Sequence, residues 1–219
     1  MQKTMSGIAA AVAALMVAGS ASAQVCAGFP TNDGQGTIGA LATFPSDFDQ
    51  YGVEGSYNLT GPLAVNAGYI YSKGHDDDSV DEEDDNLNTF RGGLALDLST
   101  FVGNLLPGIS LCPNVRADYT TEDGVTLWQV PIGLGFGASL PVGGPDMTLT
   151  PYVIPALVWT RADIGGGIDD SETNFGIRGG ADLSFDRFYL GGTVEWVDAP
   201  HPFNGQTKAI FGVRAGFKF

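Results

Sequence analysis

The chain has 219 residues, 32 of them glycine, with 11% aromatics and only 16% charged side chains. Its 25 acids against 10 Lys and Arg give a formal charge of −15. This argues against nucleic acid or anionic lipid head groups as direct electrostatic partners. No amphipathic helix pattern of any length is present, so the class is all-β, and the length suits one domain.

Residues 1–23 read as a secretory signal peptide. Lys3 supplies the positive start, Ile8 to Val17 the apolar run, and Ala21-Ser22-Ala23 the cleavage site, so the mature chain begins at Gln24. The run is too short for a transmembrane helix, which needs about 20 residues. Ala23-Gln24-Val25 is not a lipoprotein box, so no lipid anchor is expected on Cys26. No other stretch suits a transmembrane helix. A membrane-embedded form of this chain must therefore be a closed barrel, the other fold that satisfies every backbone polar group in lipid.

Residues 24–36 are a Gly- and Asn-containing lead, and 37–219 hold the strands. Thr37 to Phe44 is a weak strand of small residues, followed by a tight connection at Pro45-Ser46-Asp47. Gln50 to Leu59 alternates Tyr51, Val53, Tyr57 and Leu59 on one face, and Leu63 to Ser72 alternates Leu63, Val65, Tyr69 and Tyr71. Lys73 to Asn86 is a long acidic loop. Thr89 to Ser99, Cys112 to Thr120 and Val125 to Leu140 are the next strands, with an apolar connector at Thr100 to Ser110. Thr148 to Asp163 contains Pro151 and Pro155, each of which removes a ladder donor, so a bulge or end effect is expected there. Gly165 to Glu172 is a second acidic loop. Thr173 to Ser184 and Phe188 to Asp198 flank a tight turn at Phe185-Asp186-Arg187, and Ala199 to Gln206 is a loop.

Thr207 to Phe219 alternates Ala209, Phe211, Val213, Ala215, Phe217 and Phe219 on one face. It resembles the closing strand of bacterial outer-membrane β-barrels, in which a final Phe belongs to the signal read by the barrel-assembly machinery. Phe217 and Phe219 take that role by resemblance. Across its mature length the chain is similar to small OmpA-like and surface-opacity barrels of Gram-negative bacteria. It shows no following peptidoglycan-binding domain, so peptidoglycan anchoring is not expected. The resemblance implies a closed antiparallel transmembrane β-barrel of about ten strands, with eight as the alternative. Phe219 would be periplasmic. The loops at 73–86, 121–124, 164–172 and 199–206 would face outward, and the turns at 60–62, 100–110, 141–147 and 185–187 inward to the periplasm.

The polar face of these strands carries Glu54, Asp97, Asp118, Asp182 and Glu195 with Arg91, Arg116, Arg178, Arg214 and Lys218. Equal numbers of each sign suit charges that pair inside a narrow barrel. The glycines at 52, 68, 93, 133, 135, 137, 212 and 216 fall on the same face and leave room for a narrow pore. Cys26 and Cys112 both fall toward the periplasmic end, where an oxidising compartment suits a disulfide between them. Trp128, Trp159, Trp196, Tyr51, Tyr69, Tyr71 and Tyr119 lie toward strand ends as interfacial girdles.

The run containing Asp76, Asp77, Asp78, Asp81, Glu82, Glu83, Asp84 and Asp85 offers hard oxygen ligands for calcium or magnesium, which would bridge to lipopolysaccharide phosphates. The alternative is a hydrated, self-repelling loop. The spacing is not that of an EF-hand. The two histidines, His75 and His201, sit in loops with nothing to fix a partner, and no Gly-x-Ser-x-Gly elbow is present. No catalytic residue and no cofactor are therefore assigned. Three roles follow in order: a non-catalytic structural or surface-interaction barrel, a small cation-preferring pore, and a surface enzyme. Expected partners are outer-membrane lipids, lipopolysaccharide and the assembly machinery, with no nucleic acid.

Overall fold

A computed structural model describes residues 35–45, 48–59, 62–74, 86–98, 109–122, 125–144, 147–163, 169–197 and 208–219. The strands are β1 (Gly36–Phe44), β2 (Phe48–Asn58), β3 (Leu63–Gly74), β4 (Asn86–Leu96), β5 (Ile109–Glu122), β6 (Val125–Ala138), β7 (Leu140–Pro141), β8 (Met147–Asp163), β9 (Asp169–Phe185), β10 (Phe188–Val197) and β11 (Lys208–Lys218). Each long strand pairs antiparallel with the next long strand in the chain, β6 with β8 across the two-residue β7, which pairs β8 alone, and β1 pairs β11. The sheet therefore closes into a ring of ten long strands rather than eight. Closure leaves no open edge, and every unpaired backbone group facing lipid would cost several kcal/mol. Among the described residues no helix is long and apolar enough to cross a membrane.

The seam runs from Thr37 opposite Lys218 to Phe44 opposite Phe211. Beyond it, the Gly36 amide donates to the Phe219 carbonyl at 2.9 Å and the Phe219 amide donates back to Gly36 at 3.0 Å. The weak strand of small residues is thus fixed by two neighbours, β2 and β11, rather than by its own side chains.

Side-chain alternation is inverted relative to a water-soluble sheet. Ile132, Leu157 and Phe211 are about 60% exposed on the outside, whereas Asp118, Asp182 and Arg214 are buried within. The outward large apolar side chains form a belt along the strands. Tyr57, Phe185, Phe188, Phe217 and Phe219 lie at the end that carries the seam's Gly36. Tyr69, Tyr119, Trp128 and Trp159 lie toward the other, here called the loop end. The Phe185 and Phe188 rings stack at 5.9 Å beside the turn, where Asp186 takes a φ of 51°.

The prolines of β8 produce no bulge. Its register with β9 runs without a slip from Met147 opposite Phe185 to Asp163 opposite Asp169. Pro151 and Pro155 are four residues apart, so their missing N–H groups fall on the same side of the strand. That side faces β6, where the pairing has gaps around both. The gap at Pro151 is also why one long strand is divided at Ser139 into β6 and the two-residue β7.

Several connections are shorter than their composition suggests. Residues 169–172 belong to β9, because β8 extends to Asp163 and supplies a template. Asn86 and Asn88 belong to β4, and their Oδ1 atoms accept 2.6 Å hydrogen bonds from the Tyr71 and Tyr69 hydroxyls of β3. Ile109 and Ser110 likewise belong to β5 instead of the preceding connector.

Candidate functional site

The polar residues of the inner face gather into two clusters. In the first, Glu54, Gly68, Arg91 and Asp118 occupy one register row across β2, β3, β4 and β5. Arg91 Nε donates to Asp118 Oδ1 at 2.9 Å and Nη2 donates to Oδ2 at 3.3 Å. Arg91 Nη1 also lies 3.7 Å from Glu54 Oε2, reaching over Gly68. A Cβ at Gly68 would come within 3.0 Å of the Glu54 Cβ.

Asp118 is shared. Arg116 Nη2 lies 3.0 Å from its Oδ2, and the same nitrogen lies 3.6 Å from Glu195 Oε1. Glu195 is on β10, which the ring order separates from β5 by β6, β8 and β9. This contact therefore crosses the lumen. Arg178 stands opposite Glu195 in the β9–β10 register. A cavity of about 30 Å³, room for a water molecule, is lined by Asn114, Arg116, Ile154, Arg178 and Glu195. The buried Arg116 Nε has no hydrogen-bond partner among the described residues.

In the second cluster, nearer the seam end, Asp182, Gly191 and Arg214 form a row across β9, β10 and β11. Arg214 Nε donates to Asp182 Oδ1 at 2.8 Å, and Nη2 pairs with Oδ2. The guanidinium carbon lies 5.3 Å from the Tyr152 ring centroid. Tyr189 is buried across from Gly39 and Gly216, where a Cβ on Gly216 would stand 2.6 Å from its hydroxyl. Burying ions in this way is tolerated only with close partners on both sides.

Of the charged residues singled out from the sequence, Glu54, Arg91, Arg116, Asp118 and Glu195 meet in the first cluster, and Asp182 and Arg214 in the second. Asp97 is buried just past β4 at the seam end, where its amide donates to the Pro62 carbonyl at 2.6 Å. Lys218 is at the same end, on the last paired position of β11. Tyr152, Tyr189 and Gly191 did not stand out in the sequence. The signal was available for the two tyrosines, because each is an aromatic on the polar parity of its strand.

Cys112 is fully buried on β5. Cys26, His75, His201 and the acidic run from Asp76 to Asp85 lie outside the described residues, as do residues 1–23. Among the described residues no group of three or more His, Cys, Asp or Glu is arranged to hold a metal ion.

No family model and no curated protein matches this chain. Solved structures similar to it include the N-terminal β-barrel domain of Pseudomonas aeruginosa OprF. That match has 13% identity over 86% of this chain and 100% of that one, with a TM-score of 0.37. The β domain of the Bordetella autotransporter BrkA is similar at 12% identity over 86% and 100%, with a TM-score of 0.48. Ail, the attachment invasion locus protein of Yersinia pestis, is similar at 9% identity over 86% and 100%, with a TM-score of 0.29.

Proposed function

We propose that this chain is an integral outer-membrane β-barrel with a closed lumen, serving a structural or surface-interaction role through its loop end. The cross-lumen contact between Arg116 and Glu195, tied through Asp118 and Arg91 to Glu54, is the observation that carries this reading. A solute would have to displace several buried ion pairs at once, and removing even one partner of such a pair costs about 3–5 kcal/mol. The outward apolar belt and the absence of a sheet edge in the ring support the membrane placement.

In this reading residues 1–23 direct export, and Phe217 and Phe219 present the assembly signal. The run from Asp76 to Asp85 faces the exterior, hydrated or bridged by calcium or magnesium to lipopolysaccharide. No catalysis is assigned to His75 or His201. A hydrolytic activity abolished by His75→Ala or His201→Ala would reverse that assignment.

The second reading is a narrow cation-preferring pore. The cavity beside Glu195 and the glycines of the inner wall favour it. Conductance of the refolded mature chain in a planar bilayer separates the two. A folded barrel without current steps, in potassium chloride with or without calcium, supports the closed lumen. Discrete steps selective for potassium over chloride overturn it.

A further inference from the structure

The inner wall is polar around its ion pairs, but at the seam end it carries an apolar patch of small side chains. Ala64, Ala95 and Cys112 form a buried cluster, none more than 2% exposed. Ala64 stands opposite Ala95, and Cys112 stands opposite Gly135, which brings no side chain over it. Alanines of the same sheet that face outward, Ala40 and Ala67, are exposed. Ala67 is three residues from Ala64 on β3. The inner patch is therefore covered from the lumen side.

Cys112 restricts what that cover is. It has the parity of Arg116 and Asp118, which face the lumen, and it is not free. The other cysteine of the chain is Cys26. The ladders to β4 and β6 close the wall on both sides of β5, so a sulfur reaches Cys112 through the seam-end mouth and not from the outer face. The chain enters β1 at that mouth, where the Asn58 amide donates to the Gln35 carbonyl at 3.1 Å. From there Cys112 is four strand spacings around the wall, about 20 Å away. The nine residue steps from Cys26 to Gln35 span up to about 30 Å. Residues 24–34 include Val25, Ala27, Phe29 and Pro30 with one charged side chain, Asp33, a composition that suits a small apolar wall.

We propose that residues 24–34 run along the lumen wall of β2 to β5 at the seam end, packed on the Ala64–Ala95–Cys112 patch and held there by a disulfide from Cys26 to Cys112. The lead is then a lining of the barrel interior and not a tail tethered outside it. Forming the bond takes two protons and two electrons from the two thiols. A protein disulfide donor of the oxidising compartment accepts them and leaves as its dithiol. The placement rests on the barrel reading above, so its test must separate failure of that reading from failure of the contact.

The full mature chain is made with a photoreactive benzophenone side chain in place of that of Phe29, refolded in detergent under oxidising conditions and illuminated. Cross-links are then mapped by mass spectrometry. They should fall on inward residues of segments 56–66, 93–97 and 110–116, and a non-reduced digest should contain a peptide joining Cys26 to Cys112. Cys26→Ser should lower the cross-link yield several-fold while keeping the heat-dependent gel shift. Ala95→Phe fills the patch with both cysteines intact and should lower the yield as well. Cross-links confined to outward residues or to detergent overturn the placement. Cross-links confined to residues 99–108 also overturn it, by assigning the cover to the connector before β5. An unchanged yield in both variants overturns the contact with the patch. Absence of the heat-dependent gel shift in the unmodified chain would instead overturn the barrel reading.

Discussion

Arg214 reaches Asp182 across an entire strand, passing over Gly191, which occupies the same register row between them. A side chain at position 191 would overlap the Asp182 carboxylate and stand 3.1 Å from the Arg214 Nε. The same device recurs where Arg91 reaches Glu54 over Gly68. A narrow barrel has too little lumen for long side chains from every strand. A glycine between opposite charges lets a pair form over a neighbour instead of only beside it.

Gly191→Ala should therefore act as a lesion of the ion pair. It should lower the urea stability of the detergent-folded barrel by about 3 kcal/mol, the cost of leaving a buried charge unsatisfied. Replacing both partners, as Asp182→Leu with Arg214→Leu, should be much less damaging than Asp182→Leu alone. Equal loss in the single and double variants would mean that the pair contributes geometry and not charge compensation.

Asp118 is shared by Arg91 and Arg116, so it is the residue whose loss brings two cations together. Asp118→Asn should destabilise the barrel more than Arg116→Met. Adding Arg116→Met to Asp118→Asn should recover part of the loss. A double-mutant cycle by denaturant titration reads the coupling, expected at about 1–3 kcal/mol.

Arg116 and Glu195 carry the lumen-crossing contact. The double variant Arg116→Ala with Glu195→Ala removes both long side chains and joins their space to the neighbouring cavity. In a planar bilayer it should pass current where the parent does not. A silent double variant that is still folded would place the obstruction at the Arg214–Asp182 cluster.

The Phe219 backbone closes the seam with Gly36 through two hydrogen bonds, and its ring covers the glycine on the outer face. Deleting Phe219 should reduce the fraction of chain that shows a heat-dependent gel shift after refolding. Phe219→Ala keeps both backbone bonds and should lie between the deletion and the parent. Equal behaviour of all three would separate seam closure from this residue.

A disulfide between Cys26 and Cys112 is the remaining expectation for the seam end. The mature chain, denatured without reductant, should take up no alkylating label, and should take up label on both cysteines once reduced. Labelling without reductant would exclude it.

The alternation of the strands was legible because period two is written locally. Tyr51, Val53 and Tyr57, or Phe211, Val213 and Phe217, declare a greasy face without help from the rest of the chain. The choice of ten strands over eight came with the closure of the ring, whereas that alternation was enough to give the class and the facing of most charged residues. Their partners were not legible, since the register between strands decides them. Nothing local says that Arg116 meets Glu195 from the far wall, or that Gly191 clears the way for Arg214. Strand ends were also misread where a neighbour set them. Residues 169–172 look like a loop by composition but pair with β8, and Pro151 and Pro155 interrupt one ladder without bending the strand. The sequence by itself determined which way each side chain points, because that depends only on parity along one strand. Tertiary structure decided which side chains meet, because that depends on the closure of the ring and on the stagger between strands far apart in the chain.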